Sequence, residues 1–364
     1  MIGVPRARDH LTAIAAVPRP AGGAAEAAAR AHCARVLRDA KFEVREEPFE
    51  YSAFPGRYAT TLGGMASTLL LVGAMLTASR GQPGRATAIL LLGGTALAMA
   101  AAWTARAGVL RAPLMRRRGS NLTATRSRAA PTVWLVAHLD SKSQPVPILV
   151  RAGAIALHGA TWVVALLLCV ADWLGGSLAA VWTSVGGAAV VTGLPIMASV
   201  VGDRSAGAVD NASGVAAVLL AAALLPRDLS LGVLITSAEE LGLAGARAWV
   251  RGRVPATALN CDGIDDSGAL LWMYSGTKPA RLVAFVERVA GAEAKAVGVR
   301  RLLPGVLVDG VAFADAGWEV LTLSRGTINT LARIHTRRDN LELLSGAGID
   351  DAVPVLTRVA RELC

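Results

Sequence analysis

The chain carries three short acidic motifs, each close behind an apolar run. They read GAVDNASG at 207–214, SAEELGLAG at 237–245 and LNCDG at 259–263. Leu231–Thr236, ahead of the second motif, has the composition of a buried strand, and open α/β sheets place their chemistry at the carboxyl ends of such strands. We therefore expect four carboxylates to meet at one sheet edge: Asp210, Glu239, Glu240 and Asp262.

Carboxylates gathered at one edge repel one another unless cations compensate, and two histidines elsewhere in the chain could bind those cations. His138 lies in the strand-like segment Val133–Ser141, and His335 lies in the segment RIHTRRDN near the carboxyl terminus. Because alternate residues of a strand share a face, Asp140 is placed to hold the imidazole of His138. Along the chain, the candidate residues follow the order HxD (His138 and Asp140), D (Asp210), EE (Glu239 and Glu240), D (Asp262) and H (His335).

Mixed carboxylate and imidazole ligands of this kind suit a pair of metal ions about 3.5–4 Å apart, with one bridging carboxylate and room for a water nucleophile. Of the adjacent Glu239 and Glu240, one can bind metal while the other passes a proton from the water to the leaving amine. Each motif alone is weak: the histidine can be structural, the Glu-Glu pair a solvated helix start, and Asp210 or Ser213 a simple helix N-cap.

The order of these motifs resembles the M28 family of co-catalytic zinc peptidases, which includes aminopeptidases, relatives of glutamate carboxypeptidase and, more distantly, glutaminyl cyclases. The resemblance implies an α/β fold with a mixed, mostly parallel sheet flanked by helices, and two Zn²⁺ ions. It implies the following roles: Asp210 bridges the ions, His138 and Asp262 complete one site, Glu240 and His335 complete the other, and Glu239 is the general base.

Two further stretches extend the resemblance towards both ends of the chain. Asp9–Ala40 predicts two helices and Lys41–Tyr51 a strand, which is similar to the opening of the family. Val308–Val320 resembles the family's segment ahead of the last histidine, with Asp309 in register. Glu319 stands where the family usually has proline.

Four long blocks without Asp, Glu, Lys or Arg interrupt this pattern, at 58–79, 86–105, 152–171 and 173–202. About 20 apolar residues suffice to cross a bilayer. Short turns at Arg80–Arg85 and Asp172–Ser177 join the blocks in pairs, which predicts two transmembrane hairpins. Buried core helices are the alternative, but none of the blocks shows a clear polar face. His158 in the third block is expected to make an interhelical hydrogen bond.

The hairpins divide the predicted peptidase domain into three parts. The expected order is peptidase 1–58, hairpin 59–105, peptidase strands 106–151, hairpin 152–202 and the remaining peptidase segment 203–364. Because the second hairpin departs soon after Asp140, we expect the active-site edge near the bilayer. The chain shows no early apolar segment typical of a secretory signal, so no cleavable leader is expected.

Charge predicts the orientation of the membrane segments. Nine basic residues flank the peptidase side (Arg57, Arg106, Arg111, Arg116, Arg117, Arg118, Lys142, Arg151 and Arg204), against Arg80 and Arg85 in a far turn. The positive-inside rule then predicts four spans with a cytoplasmic peptidase domain. The net charge is +10, and we expect the basic residues responsible for it to contact lipid headgroups rather than nucleic acid. The four cysteines are expected to be free thiols.

Together these features predict a membrane-anchored zinc-dependent exopeptidase that hydrolyses peptides, with aminopeptidase action favoured. One alternative is an acyltransferase similar to glutaminyl cyclase, with a single zinc ion. Another is an inactive membrane scaffold or transport protein in which the spans carry the function. The sequence names no residue that would select a free α-amino group over an α-carboxylate, and it leaves the oligomeric state open.

Overall fold

The computed structural model describes residues 6–126, 130–176, 179–290, 298–303 and 305–364. Its strands are β1 (Glu43–Ser52), β2 (Arg116–Thr125), β3 (Val133–His138), β4 (Leu231–Thr236), β5 (Thr257–Ile264), β6 (Ala269–Tyr274), β7 (Gly298–Arg301) and β8 (Glu319–Gly326). Its helices are α1 (Ala7–Ile14), α2 (Ala24–Asp39), α3 (Ala53–Ala78), α4 (Pro83–Trp103), α5 (Val109–Arg111), α6 (Ile148–Trp173), α7 (Ala179–Met197), α8 (Gly214–Leu224), α9 (Ala244–Trp249), α10 (Ala280–Ala290), α11 (Asp309–Asp315), α12 (Ile328–Arg333) and α13 (Ala347–Leu363).

The chain forms two compact units. The first contains Met1–Ser52, Met115–Ser143 and Asp203–Cys364, and the second contains Ala53–Leu114 and Gln144–Gly202. Every predicted site residue belongs to the first unit, and all four candidate membrane helices belong to the second.

The first unit is built on one eight-stranded sheet in the order β1-β2-β4-β3-β5-β8-β6-β7. The four central strands β4, β3, β5 and β8 are parallel, while β1, β2 and β6 introduce antiparallel pairings. This confirms the predicted mixed, mostly parallel sheet. Strands β3 and β4 are fully buried and apolar up to their last residues, His138 and Thr236, as is typical of strands covered on both faces.

Helices cover both faces of this sheet. On one face, α8 has no charged residue and nine of its residues are buried, and α13 packs against it with an apolar stripe. On the other face, α9 and α11 enclose a cluster of four aromatic rings: Trp134, Trp249, Phe313 and Trp318. Ring centroids 4.6–5.8 Å apart, at tilted or edge-on angles, are the geometry that aromatic pairs prefer.

The second unit consists of α3, α4, α6 and α7, with α4 continuing through residues Thr104–Gly108 into α5. All four helices are long and apolar enough to cross a membrane by length and composition. The helices extend beyond the charge-free blocks, since α3 includes Arg57 and α6 includes Arg151. The predicted turn Asp172–Ser177 starts inside α6, and Ser177 lies outside the described residues.

Small residues let these helices approach closely. A Cβ atom at Gly64 of α3 would lie 2.7 Å from Ile196 of α7, and one at Gly186 of α7 would overlap Met75 of α3. The neighbouring Gly63 and Gly187 face open space. One glycine of each pair is therefore required by the helix contact, as small-residue packing in membrane helices predicts.

A chain of polar side chains links three helices of the second unit. Trp162 donates to the Ser67 hydroxyl at 2.6 Å, and Ser67 Oγ lies 2.9 Å from His158 Nε2. His158 Nδ1 lies 2.9 Å from Thr192 Oγ1, which in turn donates to the Ala188 carbonyl. Both ring nitrogens of His158 thus have partners on other helices, as expected from the sequence.

Candidate metal centre

The structure gathers all seven predicted site residues at the carboxyl edge of the central strands. They come from six places: His138 at the end of β3, Asp140 just beyond it, Asp210 in the turn ahead of α8, Glu239 and Glu240 after β4, Asp262 in β5, and His335 after α12. Parallel strands bring their carboxyl ends to a common edge, which is why residues up to 197 positions apart meet there.

These side chains form two clusters with metal-ligating atoms. His138, Glu239 and Asp262 make one, and Asp210, Glu240 and His335 make the other, with ligand atoms in each cluster within 4.8 Å of one another.

Asp210 links the two clusters. Its Oδ1 lies 3.1 Å from His138 Nε2, and its Oδ2 lies 2.8 Å from His335 Nε2. A carboxylate that presents one oxygen to each cluster has the arrangement that a ligand bridging two cations requires.

Asp140 holds the site in a way that strand alternation did not predict. Strand β3 ends at His138, so the chain turns before Asp140 and the carboxylate comes no closer than 3.8 Å to His138 Nδ1. The Asp140 carbonyl oxygen, 3.1 Å from that nitrogen, is the nearer partner. The carboxylate accepts the backbone N–H groups of Glu239 and Glu240 at 3.0 and 3.2 Å, which fixes the loop that carries both glutamates.

The DNASG motif shapes the turn that carries Asp210. The Asn211 amide donates to the Cys261 carbonyl on β5 and accepts the N–H groups of Gly214 and Gly263. The side chain of Asn211, rather than Asp210 or Ser213, therefore caps the start of α8. A Cβ atom at Gly214 would lie 2.5 Å from the Cys261 oxygen, so only glycine lets the turn pack this closely on β5.

Two buried residues that sequence reasoning missed fix the same turn. Asp339 accepts the backbone N–H groups of Val209 and Asp210 at 2.7 and 3.1 Å. Arg19 is completely buried, and its guanidinium donates to four carbonyl oxygens: Ile14, Leu139, Ala206 and Gly207. Burial lowers the pKa of Arg19 to about 10, which leaves it charged at neutral pH. Arg19 thus joins the His138 loop to the Asp210 turn.

Lys142 is the third residue that the sequence did not assign to the site. Its ammonium lies 2.6 Å from Glu240 Oε2, and the lysine side chain is 18% exposed. The motif HLDSK places it four residues after His138. Lys142 is also one of the nine basic residues that flank the predicted membrane segments, and in the structure it pairs with Glu240.

Burial and charge act together on the titrating groups. Burial raises the pKa of Glu239 well above its usual value, opposed by His138 and reinforced by Glu240. Burial opposes a charge on His138, yet Glu239 and the other carboxylates around it raise the pKa of His138 well above its usual range. Burial also raises the pKa of Asp309 to about 7, although Thr236 donates a hydrogen bond to its carboxylate.

The donor set fits divalent metal ions. Four carboxylates and two imidazoles converge in a buried space, where uncompensated negative charge is costly. Glu240 Oε1 is also buried without a hydrogen-bond partner among the described residues, and a buried carboxylate oxygen in that state requires a cation or donor. Nitrogen and oxygen ligands of this kind suit zinc and related borderline ions.

The sequence model of peptidase family M28 matches residues 121–359, a span that contains every metal-ligand candidate. The chain belongs to peptidase family M28. This M28 chain matches no curated protein by sequence.

Solved structures show the same fold at low sequence identity. The aminopeptidase from Aneurinibacillus sp. strain AM-1 is 12% identical, with 98% of this chain and 92% of that chain covered and a TM-score of 0.56. BSAP, a zinc aminopeptidase from Bacillus subtilis, is 14% identical, with 98% and 94% covered and a TM-score of 0.55. Porphyromonas gingivalis glutaminyl cyclase is 15% identical, with 98% and 97% covered and a TM-score of 0.56. These likenesses establish the fold of this M28 member.

Proposed function

We propose that this M28 member is a membrane-anchored, zinc-dependent exopeptidase, most simply an aminopeptidase, with two Zn²⁺ ions. The observation that carries the proposal is the position of Asp210, whose two carboxylate oxygens face His138 in one cluster and His335 in the other. The zinc named in the description of the Bacillus subtilis aminopeptidase supports the choice of metal.

In this proposal the ligands divide between the two clusters around Asp210. His138 and Asp262 hold one ion, Glu240 and His335 hold the other, and Glu239 stays free as the general base. When bound, the ions would lower the pKa of water and polarise the scissile carbonyl. Glu239 Oε2 lies 3.9 Å from His138 Nε2, so its carboxylate borders the metal ligands. From there it would accept the proton of the attacking water and deliver it to the leaving amine.

Residues outside the ligand set keep this geometry fixed. Asp140 anchors the backbone of the Glu239–Glu240 loop, and Arg19 and Asp339 anchor the turn that carries Asp210. Because the buried site excludes bulk water, the charges of these residues act more strongly than they would in solution.

The membrane anchor rests on the second unit. Helices α3, α4, α6 and α7 expose large apolar side chains such as Leu69, Leu92, Leu157 and Val191, each more than 60% exposed. Core helices would bury such residues, whereas a lipid environment would cover them. Nine flanking basic residues against Arg80 and Arg85 support a cytoplasmic peptidase unit. The substrates we propose are short peptides or peptide tails at the membrane surface.

Paired peptide substrates test the aminopeptidase assignment. Detergent-purified protein with added zinc is expected to cleave a peptide with a free amino terminus and to spare its N-acetylated copy. Cleavage of the acetylated peptide with loss of its carboxyl-terminal residue would instead assign carboxypeptidase action. Cyclisation of an N-terminal glutamine peptide without hydrolysis would favour the cyclase-like alternative, which the Porphyromonas gingivalis neighbour keeps open.

Reconstitution into nanodiscs tests the membrane-surface substrate. A peptide tethered to a lipid headgroup is expected to give a higher kcat/KM than the same peptide free in solution, and the difference is expected to vanish in detergent. Equal kcat/KM values for the two peptides in nanodiscs would refute a membrane-surface substrate while leaving the peptidase assignment intact.

A further inference from the structure

Lys142 is more exposed than any metal-ligating side chain of the site. Its side chain is 18% exposed, whereas those of the six residues in the two clusters are 2–12% exposed. A molecule that enters the site from solvent can therefore reach Lys142 more easily than the residues that hold the metal ions. The positive charge of Lys142 is thus available to the part of a substrate that lies next to the metal centre.

Lys142 forms an ion pair with one carboxylate among the residues that the structure describes. Its Nζ lies 2.6 Å from Glu240 Oε2, and the same oxygen lies 3.4 Å from His335 Nε2. Glu239 and Asp210 attract the ammonium group from further away. In the proposed metal centre, these three carboxylates act on the metal ions or on the attacking water. Lys142 then keeps a positive charge that an anionic group of the substrate can balance.

Chain geometry limits which substrate carboxylate Lys142 can reach. Because Lys142 Nζ contacts Glu240, it lies one side-chain group away from the ion that would polarise the scissile carbonyl. A carboxylate on the residue after the scissile bond lies about 3–5 Å from the scissile carbonyl carbon, and each further residue adds about 3.5 Å. The carboxyl terminus of a dipeptide and the side chain of an aspartate at this position both lie within that distance. The terminal carboxylate of a longer peptide lies beyond it.

We propose that Lys142 is a specificity residue that binds a carboxylate on the residue after the scissile bond. A dipeptide carries this carboxylate at its carboxyl terminus, and a longer peptide carries it as an aspartate side chain in second position. Peptides of these two kinds are then the preferred substrates. The inference rests on the proposed peptidase function and adds the class of peptide on which the site acts.

Two pairs of matched peptides test the inference on the wild type. The first pair is Leu-Leu and Leu-Leu-amide, and the second is Leu-Asp-amide and Leu-Asn-amide. Zinc-loaded protein in detergent is expected to prefer the charged member of at least one pair by at least about tenfold in kcat/KM, as a hydrogen bond to a charged group implies. Preference in the first pair assigns the terminal carboxylate, and preference in the second assigns the side-chain carboxylate.

Ratios near one in both pairs would overturn the inference and leave the proposed peptidase function intact. Absence of hydrolysis of every peptide by folded, zinc-loaded wild type would overturn both.

Variants of Lys142 test whether this residue is responsible for the preference. Lys142→Met and Lys142→Gln remove the charge and are expected to bring the preferred ratio close to one, whereas Lys142→Arg is expected to keep it. Because Lys142 also acts on Glu239 and Glu240, these variants can change absolute rates. The ratio within one variant removes that effect, since both peptides of a pair meet the same metal centre. A ratio that neither neutral variant lowers would overturn the role of Lys142.

Lys278→Met is the matched control, because Lys278 is exposed, and it is expected to reproduce the wild-type ratios. If Lys142→Met fails to fold, Lys142→Gln decides, since its amide still donates a hydrogen bond to Glu240.

Binding gives a readout that does not depend on turnover. Analogues of the preferred pair, in which a methylene group replaces the scissile carbonyl, are not hydrolysed. Calorimetry with zinc-loaded wild type is expected to give a Kd at least about tenfold lower for the charged analogue than for its neutral partner. Lys142→Gln is expected to bind both analogues equally. Equal Kd values for the two analogues in wild type would contradict a carboxylate-binding role for Lys142.

Discussion

Replacement of Arg19 by lysine should weaken both the fold and the metal centre, although the positive charge is kept. The Arg19 guanidinium donates to four carbonyl oxygens on three segments, at 2.5–3.2 Å. An ammonium group is a single point with three donors, so it cannot reproduce the planar fork that reaches all three segments.

The expected cost follows from the bonds that are lost. If lysine keeps two of the four hydrogen bonds, two bonds to a charged donor disappear, at about 1.5–3 kcal/mol each. The free energy of unfolding should therefore fall by about 3–6 kcal/mol, a large part of the 5–15 kcal/mol typical of a domain. For a unit of this size the corresponding fall in Tm is about 6–24 °C.

Thermal unfolding of detergent-purified wild type and Arg19→Lys, each with chelator and with zinc, measures this effect. Because Leu139 and Gly207 lie beside the segments that carry His138 and Asp210, the variant should also bind zinc more weakly. Arg45→Lys is the control, since Arg45 is exposed on β1 and pairs with the exposed Glu43. A Tm within about 1 °C of wild type, with unchanged zinc affinity, would refute this account of Arg19.

Three further outcomes are expected. Burial and the nearby His32 lower the pKa of His10 from 6.5 to about 4, so the unfolded chain binds the extra proton first and stability falls as pH drops from about 6.5 to about 4. The free energy of unfolding lost over this pH range is about 3 kcal/mol. The check is the Tm of wild type and of His10→Gln between pH 6.5 and pH 4. A smaller fall in Tm for His10→Gln than for wild type would confirm the prediction, and an equal fall in both proteins would contradict it. His158→Ala should lower the free energy of unfolding by about 1–2 kcal/mol, because the hydrogen bonds to Ser67 and Thr192 are lost. Thermal unfolding in detergent measures this change. An unchanged Tm would show that the hydrogen-bond network does not stabilise the protein. Asn211→Ala should reduce zinc affinity because the Asp210 turn loses its bonds to β5, and zinc titration of a folded variant with wild-type affinity would count against that role.

Sequence patterns predicted the sheet and the position of its carboxyl edge because both depend on local signals. The apolar run Leu231–Thr236 matches β4 from end to end. The long apolar helices were visible for the same reason, since hydropathy along twenty residues is itself a local property.

The supports of the site were not predictable because they depend on contacts between distant segments. Arg19 lies in a Pro- and Gly-rich break between the two predicted helices of Asp9–Ala40, and three of the four carbonyl groups that bind its buried side chain are more than 100 residues away. In the sequence, Lys142 resembles the other basic residues beside the predicted membrane spans. Its ion pair with Glu240 becomes visible only in the folded structure. Asp140 was assigned a strand position, but β3 ends two residues earlier, and strand alternation cannot predict where a strand stops.

The central claim is that Glu239 and two metal ions hydrolyse peptide bonds at the edge of the sheet. Hydrolysis of a panel of free-amino and N-blocked peptides by zinc-loaded, detergent-purified protein, alongside Glu239→Gln, tests it most directly, with folding and zinc content measured in both. The account predicts cleavage of free-amino peptides by the wild type and a loss of at least about 100-fold in the variant at unchanged zinc content. Cleavage by Glu239→Gln at the wild-type rate, or no cleavage of any peptide by folded, zinc-loaded wild type, would contradict it.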